Sequence, residues 1–314
     1  MGKYINPFTD WGFKRLFGQE FSKSLLISFL NDLFAGELNV KNVKFMDKEQ
    51  LAPTKDQRGI IYDVYCEADD GKRFIVEMQN KWQPNFLDRS ICYASRSILA
   101  QVEKGKKEKE DAYKFLPVYT ICFMNYMPKA DKVGKFKTDM VLTDKDSGEV
   151  VSDKLRFIYL ALPFFKKKAE ECDNDFEKWI YVLKHMEALS RIPFTAQKDI
   201  FKQLEEYADS HRLTRKEWEA YENSLWIARD NMACMAAAER EAREKGMAEG
   251  MAEGMKKGME KGMEKGMEKG MEKGRAKEKA DTAKRLFAMG LDIEQIAQGL
   301  GLTTEETKKL TKSD

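Results

Sequence analysis

The sequence predicts an α/β core that is followed by a helical region and a C-terminal helical tail. Three observations support this fold class. Apolar residues recur at helical spacing near the N-terminus, short β-branched and aromatic runs then alternate with a second helical stripe, and the later patterns are helical throughout. A chain of 314 residues also has enough apolar sequence to bury a core without covalent cross-links.

The first predicted element is an amphipathic helix from Asp10 to about Phe34, where apolar residues return mostly at every third or fourth position. A second helical stripe covers 86–104. The runs typical of strands are 40–45, 60–66, 74–79, 116–125 and 155–162. Because helices and strands alternate along this part of the chain, we expect an α/β core.

Composition divides the chain into four expected segments. They are a core over 1–170, a helical cap region over 171–245, a Gly-Met-Glu-Lys repeat tail or linker over 246–280, and a small helical, helix-turn-helix-like segment over 281–314. In the third segment glycine returns at every fourth residue from Gly246 to Gly274, which marks a low-complexity tract rather than a core element.

The overall composition narrows the possible partners and location. The formal net charge is only +2, so any affinity for DNA must come from local patches rather than from a global basic field. No stretch reaches the roughly 18 apolar residues of a membrane span, and we expect no membrane partner. The five cysteines are odd in number and widely spaced, which fits neither a disulfide framework nor paired zinc ligands and predicts a cytoplasmic protein.

A β-hairpin is the most informative local pattern. Two strand-like runs flank residues 69–71, a three-residue loop with Gly71 at the position that favours a left-handed conformation. With that loop, paired residues have numbers that sum to 140, so Asp63 lies opposite Glu77. The loop therefore predicts a cross-strand pair of carboxylates.

Alternation along the strands places Asp63, Glu77 and Gln79 on one mixed face. Two opposed carboxylates lie roughly 5 Å apart at Cβ, and a divalent cation such as Mg²⁺ between them would remove their repulsion. The alternative is that they are solvated strand residues. We expect the other face to pack on the core, since its members are all apolar: Ile60, Tyr62, Val64, Cys66, Phe74, Val76 and Met78.

Three motifs resemble a known family. Asp63 followed by Glu77-Met78-Gln79 resembles the PD-(D/E)XK nuclease superfamily in the variant where Gln replaces the usual lysine. More specifically, the opening NPFTDWGFKRLF at 6–17 and DRSICY at 88–93 resemble the recombination-promoting nuclease and putative transposase family. The resemblance implies a restriction-endonuclease-like core, a mixed sheet flanked by helices. It also implies a metal-dependent DNA endonuclease that hydrolyses phosphodiester bonds and promotes recombination or transposition.

The same resemblance implies roles for individual residues. Asp63 and Glu77 are expected to bind Mg²⁺, with Mn²⁺ as a possible substitute, together with the carbonyl of Met78. Gln79 is expected to orient the attacking water, and Asp10 to add an acidic contact from the first helix. All five are therefore candidate site residues.

Two departures from the superfamily pattern affect the chemistry. Tyr62 stands where the superfamily has proline, and Gln79 lacks the charge with which a lysine would stabilise an oxyanion.

Arg89 and Tyr93 lie four residues apart on one face of the following helix, where the guanidinium is placed to meet a phosphate. The alternative is a surface arginine beside a half-buried tyrosine. A second functional hypothesis is accordingly a catalytically weak or inactive nuclease-fold module that binds DNA or protein.

The repeat tail allows two interpretations. On an α-helix its methionines drift by roughly 40° per repeat, and each glycine costs about 1 kcal/mol relative to alanine. A lone helix is marginal, so a helical tail predicts a homo-oligomer held together through Met and Gly; the alternative is a solvated flexible linker.

The final segment also allows two interpretations. In it, 299–303 supplies a turn between helical patterns, which favours a helix-turn-helix or, equally, the packing helices of an oligomerisation module. In the first case four basic residues are candidates for phosphate contacts: Lys284, Arg285, Lys308 and Lys309.

Overall fold

The structure is a computed structural model that describes residues 2–50, 59–83, 85–102, 113–126 and 135–312. These residues divide into two compact units, with the boundary between Ala233 and Cys234. The first unit contains the strands, five complete α-helices and the start of a sixth. The second unit contains the rest of that sixth helix and two short helices.

The first unit is built on a mixed six-stranded sheet in the order β1-β4-β5-β6-β8-β7. Strands β5, β6 and β8 are parallel to one another, and the remaining pairs are antiparallel. A separate antiparallel pair is formed by β2 and β3. The strands are β1 (Val43–Phe45), β2 (Glu49–Gln50), β3 (Ile60–Ile61), β4 (Val64–Ala68), β5 (Arg73–Gln79), β6 (Val118–Met124), β7 (Lys137–Thr143) and β8 (Val150–Ala161). The α/β class is confirmed, and this sheet agrees with a restriction-endonuclease-like core.

The described residues form eight α-helices. They are α1 (Asp10–Phe17), α2 (Lys23–Phe34), α3 (Phe86–Leu99), α4 (Asp175–His185), α5 (Asp199–Ala208), α6 (Arg215–Ala288), α7 (Ile293–Leu300) and α8 (Thr304–Lys312). The prediction of one continuous helix from Asp10 to Phe34 was wrong, because the structure has two helices there. Helix α1 ends at Gly18, whose N–H bonds to the carbonyl of Lys14, and a short 3-10 turn then leads into α2.

Two hydrophobic cores lie on opposite faces of the sheet. The larger one is covered by α1, α2, α4 and α5 and contains an aromatic cluster around Phe17, Phe29, Phe123 and Trp179. The smaller one lies beneath α3 and contains Tyr65 among its buried residues. The mixed face of the hairpin is therefore not a solvated surface, because α3 covers it.

Ile60 and Tyr62 do not lie on the face that alternation predicts. Both pack in the smaller core, whereas Val64 packs in the larger one. The chain bends between β3 and β4, and the Tyr62 N–H bonds to the carbonyl of Lys48 in line with the β2–β3 pair. This bend resets the alternation, so the prediction for these two residues was wrong.

Strands β2 and β7 were not predicted. Most residues of β7 are exposed at the edge of the sheet, and its apolar run, 140–142, is only three residues long. Strand β2 has only two residues. Strand β8 also begins earlier than expected, at Val150, where its exposed first half pairs with β7. Edge pairing with little burial leaves a weak signal in the sequence.

In the second unit, α6 continues without interruption through the glycine repeat, so the helical interpretation of the tail holds in this structure. Three helical segments follow the repeat, namely the end of α6, then α7 and α8. They are separated at Gly290 and Gly301, both with positive φ, and Gly299 belongs to α7 rather than to the turn. Thr303 begins α8 by exchanging hydrogen bonds with Glu306. No helix among the described residues has the length and apolar character needed to cross a bilayer.

Candidate active site

Asp63 and Glu77 lie next to each other where the hairpin ladder ends. The predicted register is confirmed, since Glu67 pairs with Arg73 and Val64 with Val76. Asp63 directly precedes β4, and its N–H donates to Glu77 Oε1 at 3.2 Å. The sequence therefore placed this carboxylate pair correctly from the loop alone.

The two carboxyl groups are buried and perturb each other. Glu77 is only 6 % exposed, and burial together with the nearby Asp63 charge raises its pKa to about 8. Burial also raises the pKa of Asp63, although the Met78 N–H donates to its Oδ2 at 2.8 Å and favours the ionised form. Near neutral pH the pair therefore retains a proton that two solvated acids would have lost.

The donor set fits a hard divalent cation. In a β-strand the N–H and C=O of one residue point to the same edge, so the Met78 carbonyl lies on the side of β5 from which its N–H reaches Asp63. Asp63, Glu77 and the Met78 carbonyl are thus the residues that would hold Mg²⁺. The described residues contain no group of three or more acidic, histidine or cysteine ligands, and two carboxylates with a carbonyl leave positions for water and substrate.

Gln79 and Arg89 form the second part of the site. Arg89 donates to Gln79 Oε1 at 2.9 Å and to Gln83 Oε1 at 3.1 Å. The Gln79 Nε2 in turn donates to the carbonyl of Lys81 at 2.6 Å. Both ends of the Gln79 amide are therefore engaged by protein atoms, which was not expected of a residue that orients water.

The Arg89 guanidinium is also held by aromatic rings. It lies 5.6 Å from the ring centroid of Phe86 and 5.5 Å from that of Tyr93. The structure thus brings Arg89 and Tyr93 together on α3, as the four-residue spacing predicted. The positive charge of Arg89 favours the ionised form of Glu77. The guanidinium is therefore within electrostatic range of the carboxylates.

Side-chain hydrogen bonds fix α3 over the sheet. Tyr65 and Ser97 are joined at 3.0 Å, and the Tyr62 hydroxyl donates to the Tyr93 carbonyl at 3.1 Å. Ser90 is 2.6 Å from the hydroxyl of Tyr159 on β8. These contacts join α3 to β4, to β8 and to Tyr62 before β4, and so fix the position of Arg89 relative to Glu77.

The N-terminal motif fixes α1 beside the same carboxylates. Thr9 caps the helix by accepting the Gly12 N–H at 3.0 Å. A Cβ at Gly12 would lie 2.2 Å from the Asn6 carbonyl oxygen, so only glycine fits this backbone approach. From the end of β5, Asn80 donates to the Phe8 carbonyl at 2.5 Å and ties the start of α1 to the site.

Two lysines near the carboxylates were missed by the sequence analysis. Lys14 pairs with Asp10 at 2.6 Å, and its charge favours the ionised forms of both Asp63 and Glu77. Burial and the charge of Lys14 lower the pKa of Lys48, which lies near Asp63. Lys14 could have been found from its position four residues after Asp10 on the helix. Lys48 carries no local signal, because only the fold brings it there.

The predicted site residues thus form one cluster. Asp10 is the most exposed of them and acts on Asp63 through its charge, since it opposes ionisation there.

Comparison with curated proteins and with solved structures gave no match. A family model, described as PD-(D/E)XK nuclease family transposase, matches residues 7–238 and so covers the sheet, α3 and every residue of this cluster. The chain therefore belongs to the PD-(D/E)XK nuclease family transposases.

Proposed function

We propose that the protein is a metal-dependent endonuclease that hydrolyses phosphodiester bonds in DNA. The observation that carries this proposal is the buried, hydrogen-bonded pair of Asp63 and Glu77 at the end of the hairpin. We propose Mg²⁺ as its cofactor, with Mn²⁺ as a substitute, held by this pair and the Met78 carbonyl. The family supports a nuclease, and a role in recombination or transposition is the corresponding biological proposal.

Bound at this pair, the cation would polarise a phosphate oxygen and lower the pKa of a water molecule. The chain's own groups bind and orient the substrate. Arg89 presents a planar guanidinium to the phosphate, and Gln79 with Tyr93 holds that group in place. Gln79 is a positioning residue in this scheme.

Lys14 on α1 supplies the positive charge that the lysine of the superfamily motif would carry. Gln79 cannot supply it, whereas Lys14 lies within electrostatic range of both carboxylates. Asp10 orients the Lys14 ammonium through their ion pair. We propose that Lys14 stabilises the charge that develops on the phosphate, with Lys48 as a second positive group.

The test is cleavage of supercoiled plasmid by the purified full-length chain with Mg²⁺. Asp63→Ala and Glu77→Gln are expected to lower the rate by about a hundredfold or more, because both remove a charged metal ligand. Asp69→Asn is the matched control, since it removes an exposed acid from the loop of the same hairpin. Circular dichroism checks the fold of each variant. Cleavage retained in both site variants would overturn the proposal.

A catalytically inactive module that binds DNA or protein is the second candidate. The engaged amide of Gln79 favours it, because each end of that side chain already has a hydrogen-bond partner in the protein. Calorimetry separates the two candidates. Binding of Mg²⁺ or Mn²⁺ that is lost in Asp63→Ala supports the endonuclease, and no binding by the wild type supports the inactive module.

Assembly and location complete the proposal. We propose that the chain forms a homo-oligomer through the exposed methionines of α6, and that α7 and α8 contact DNA phosphates or contribute to the assembly. We also propose a cytoplasmic location, where free thiols such as the five in this chain persist.

A further inference from the structure

Helix α1 of the N-terminal motif presents two neighbouring stripes, because residues four positions apart lie one above the other on a helix. Asp10 and Lys14 form the stripe whose charges act on the buried carboxylates. Trp11 and Arg15 form the next stripe, about 100° around the helix. This second stripe contacts the start of α6, residues 215–225, which belongs to the first unit. One short helix therefore joins α6 to the active site.

Three side chains of α6 hold the motif. Glu217, Tyr221 and Ser224 are four and three residues apart, so they share one face of the helix. The Tyr221 hydroxyl accepts the Asn6 N–H at 2.8 Å, and Ser224 Oγ accepts the Trp11 N–H at 3.1 Å. The first four N–H groups of an α-helix have no acceptor within the helix itself. Through Ser224, α6 therefore supplies part of the N-terminal cap of α1.

Arg15 makes a charged contact between the two helices. Its Nη1 donates to Glu217 Oε1, and its Nε donates to the carbonyl of Tyr207 at 3.0 Å. The guanidinium also lies 5.1 Å from the ring centroid of Trp11 and 5.3 Å from that of Phe21. The Arg15 side chain is only 11 % exposed, and hydrogen bonds between charged groups are about twice as strong as neutral ones. The position of Arg15 thus depends on the carboxylate from α6.

Glu217 also begins α6. Its Oε2 accepts the N–H and the hydroxyl of Thr214, each at 2.8 Å, and Thr214 Oγ1 accepts the Glu217 N–H at 3.3 Å. This reciprocal pair is a capping box. The Thr214 bonds, with a further contribution from Arg15, lower the pKa of Glu217, so its carboxyl group is ionised at neutral pH. The same carboxylate therefore begins α6 and holds α1.

We propose that Glu217, Tyr221 and Ser224 are positioning residues of the active site. They hold α1 in the position that places Lys14 beside the carboxylates. This inference rests on the proposed function and adds the start of α6 to the residues that support it. Lys14 directly precedes Arg15, so a shift of Arg15 moves Lys14 with it. A displacement of about 1 Å at a reacting site can lower a rate by about a hundredfold.

The alternative is that the same contacts only stabilise the fold, and Glu217→Gln separates the two roles. The amide oxygen of a glutamine still accepts from Thr214, because glutamine also forms capping boxes. Its amide nitrogen then faces the Arg15 guanidinium, so a donor meets a donor. Glu219→Gln is the matched control, since it removes an exposed glutamate of the same helix that pairs with Arg215 at 3.1 Å.

Glu217→Gln is expected to lower kcat for plasmid cleavage by about fivefold, with KM near the wild-type value. The reason is that Lys14 acts on charge that develops only in the transition state. Tyr221→Phe should act in the same direction, because it removes only the hydroxyl group that accepts the Asn6 N–H. It also decides the test if Glu217→Gln does not fold. Wild-type kcat in both folded variants would overturn the proposal.

Combination with Lys14→Gln distinguishes a positioning role from a general loss of stability. If Glu217 acts through Lys14, the double variant should have about the same kcat as Lys14→Gln alone, because the two effects share one path. A further fall of about fivefold in the double variant would show an independent effect and overturn the proposal.

Hydrogen exchange of the protein in a chelator tests the hold on α1 without any measurement of activity. The amides of α1 are expected to exchange about threefold faster or more in Glu217→Gln, while those of α3 keep the wild-type rate. Unchanged exchange in α1 would overturn the proposal. A wild type that does not cleave DNA would overturn the proposed function and this inference with it. A wild type that cleaves, with the same kcat in Glu217→Gln and Tyr221→Phe, would overturn this inference alone.

Discussion

Arg89 donates a hydrogen bond from Nη2 to Gln79 Oε1 at 2.9 Å, and this bond joins α3 to the last residue of β5. The Lys81 carbonyl fixes the other end of the same amide. The residue that departs from the superfamily pattern therefore holds an arginine beside the carboxylates. A lysine at position 79 would instead set an ammonium against this guanidinium. The glutamine at position 79 is therefore structurally linked to Arg89, since its amide oxygen accepts a hydrogen bond from that guanidinium.

Gln79→Ala is expected to lower kcat for plasmid cleavage by about tenfold, because Arg89 loses one of its two hydrogen-bond acceptors. Affinity for Mg²⁺, measured by calorimetry, should stay near the wild-type value, since Gln79 is not a ligand. Lys81→Ala is the matched control, as only its backbone carbonyl contacts Gln79. Equal loss of cleavage in the control would contradict the positioning role.

Lys14→Gln is expected to reduce cleavage by about tenfold or more and to shift the pH dependence of metal binding upward. The ammonium now favours the ionised form of Glu77, so its loss raises the pKa of that carboxyl further. More of the pair is then protonated at a given pH, and the metal must displace that proton.

Lys14→Arg should retain most of the cleavage rate and the wild-type pH dependence, because it keeps the positive charge. Lys23→Gln serves as a control, since Lys23 at the start of α2 makes a comparable ion pair at 3.0 Å with Glu20 in the preceding 3-10 turn. An unchanged pH profile in Lys14→Gln would exclude a role for this charge at the site.

Stability of the metal-free protein should fall as the pH rises from about 4.5 to about 8. Folded Glu77 keeps its proton up to a pKa of about 8, whereas the unfolded chain releases it near the ordinary value of 4.5. Between these values the folded state binds more protons, so the free energy of unfolding decreases with pH. The effect is on the order of a few kcal/mol.

Urea denaturation in a chelator at several pH values measures this slope. Glu77→Gln should flatten it and make the metal-free protein more stable near pH 8, because no buried charge then forms. A slope that persists unchanged in Glu77→Gln would contradict the assignment to this residue.

Gly12→Ala should destabilise the first unit by about 2–4 kcal/mol, because the new Cβ would lie 2.2 Å from a backbone oxygen of Asn6. Thermal or urea unfolding measures the loss. Gly250→Ala is the control, since a Cβ there meets nothing within 4 Å, and it should not lower stability. If Gly12→Ala were as stable as the wild type, the motif at 6–17 would not fix α1 by close backbone approach.

The carboxylate pair was predictable because a short loop determines it. Gly71 has a φ of 78°, as the turn requires, and the register follows from the loop without knowledge of the rest of the chain. Arg89 was predictable for a similar reason, because its spacing to Tyr93 is a property of one helix. Local geometry therefore determines these parts of the site.

The remainder depends on contacts between segments that are distant in sequence. Tyr62 leaves its expected face because β3 pairs with β2 and the chain then bends, and strict alternation contains no information about such a bend. Lys48 reaches the site through the same strand pair, and Lys14 through the bond between Asn80 and Phe8. Sequence patterns identify which face of an element is apolar, but they do not show which other element covers it.

The four-residue unit of α6 has a consequence for how its gene can change. Because the units over 258–273 present the same four side chains, the gain or loss of four codons lengthens or shortens the helix by about 6 Å and leaves the four-residue pattern unbroken. A change of one, two or three codons would instead interrupt the four-residue spacing of Gly, Met, Glu and Lys at the same point. Length variants of this tail in related genes should therefore differ by multiples of twelve nucleotides.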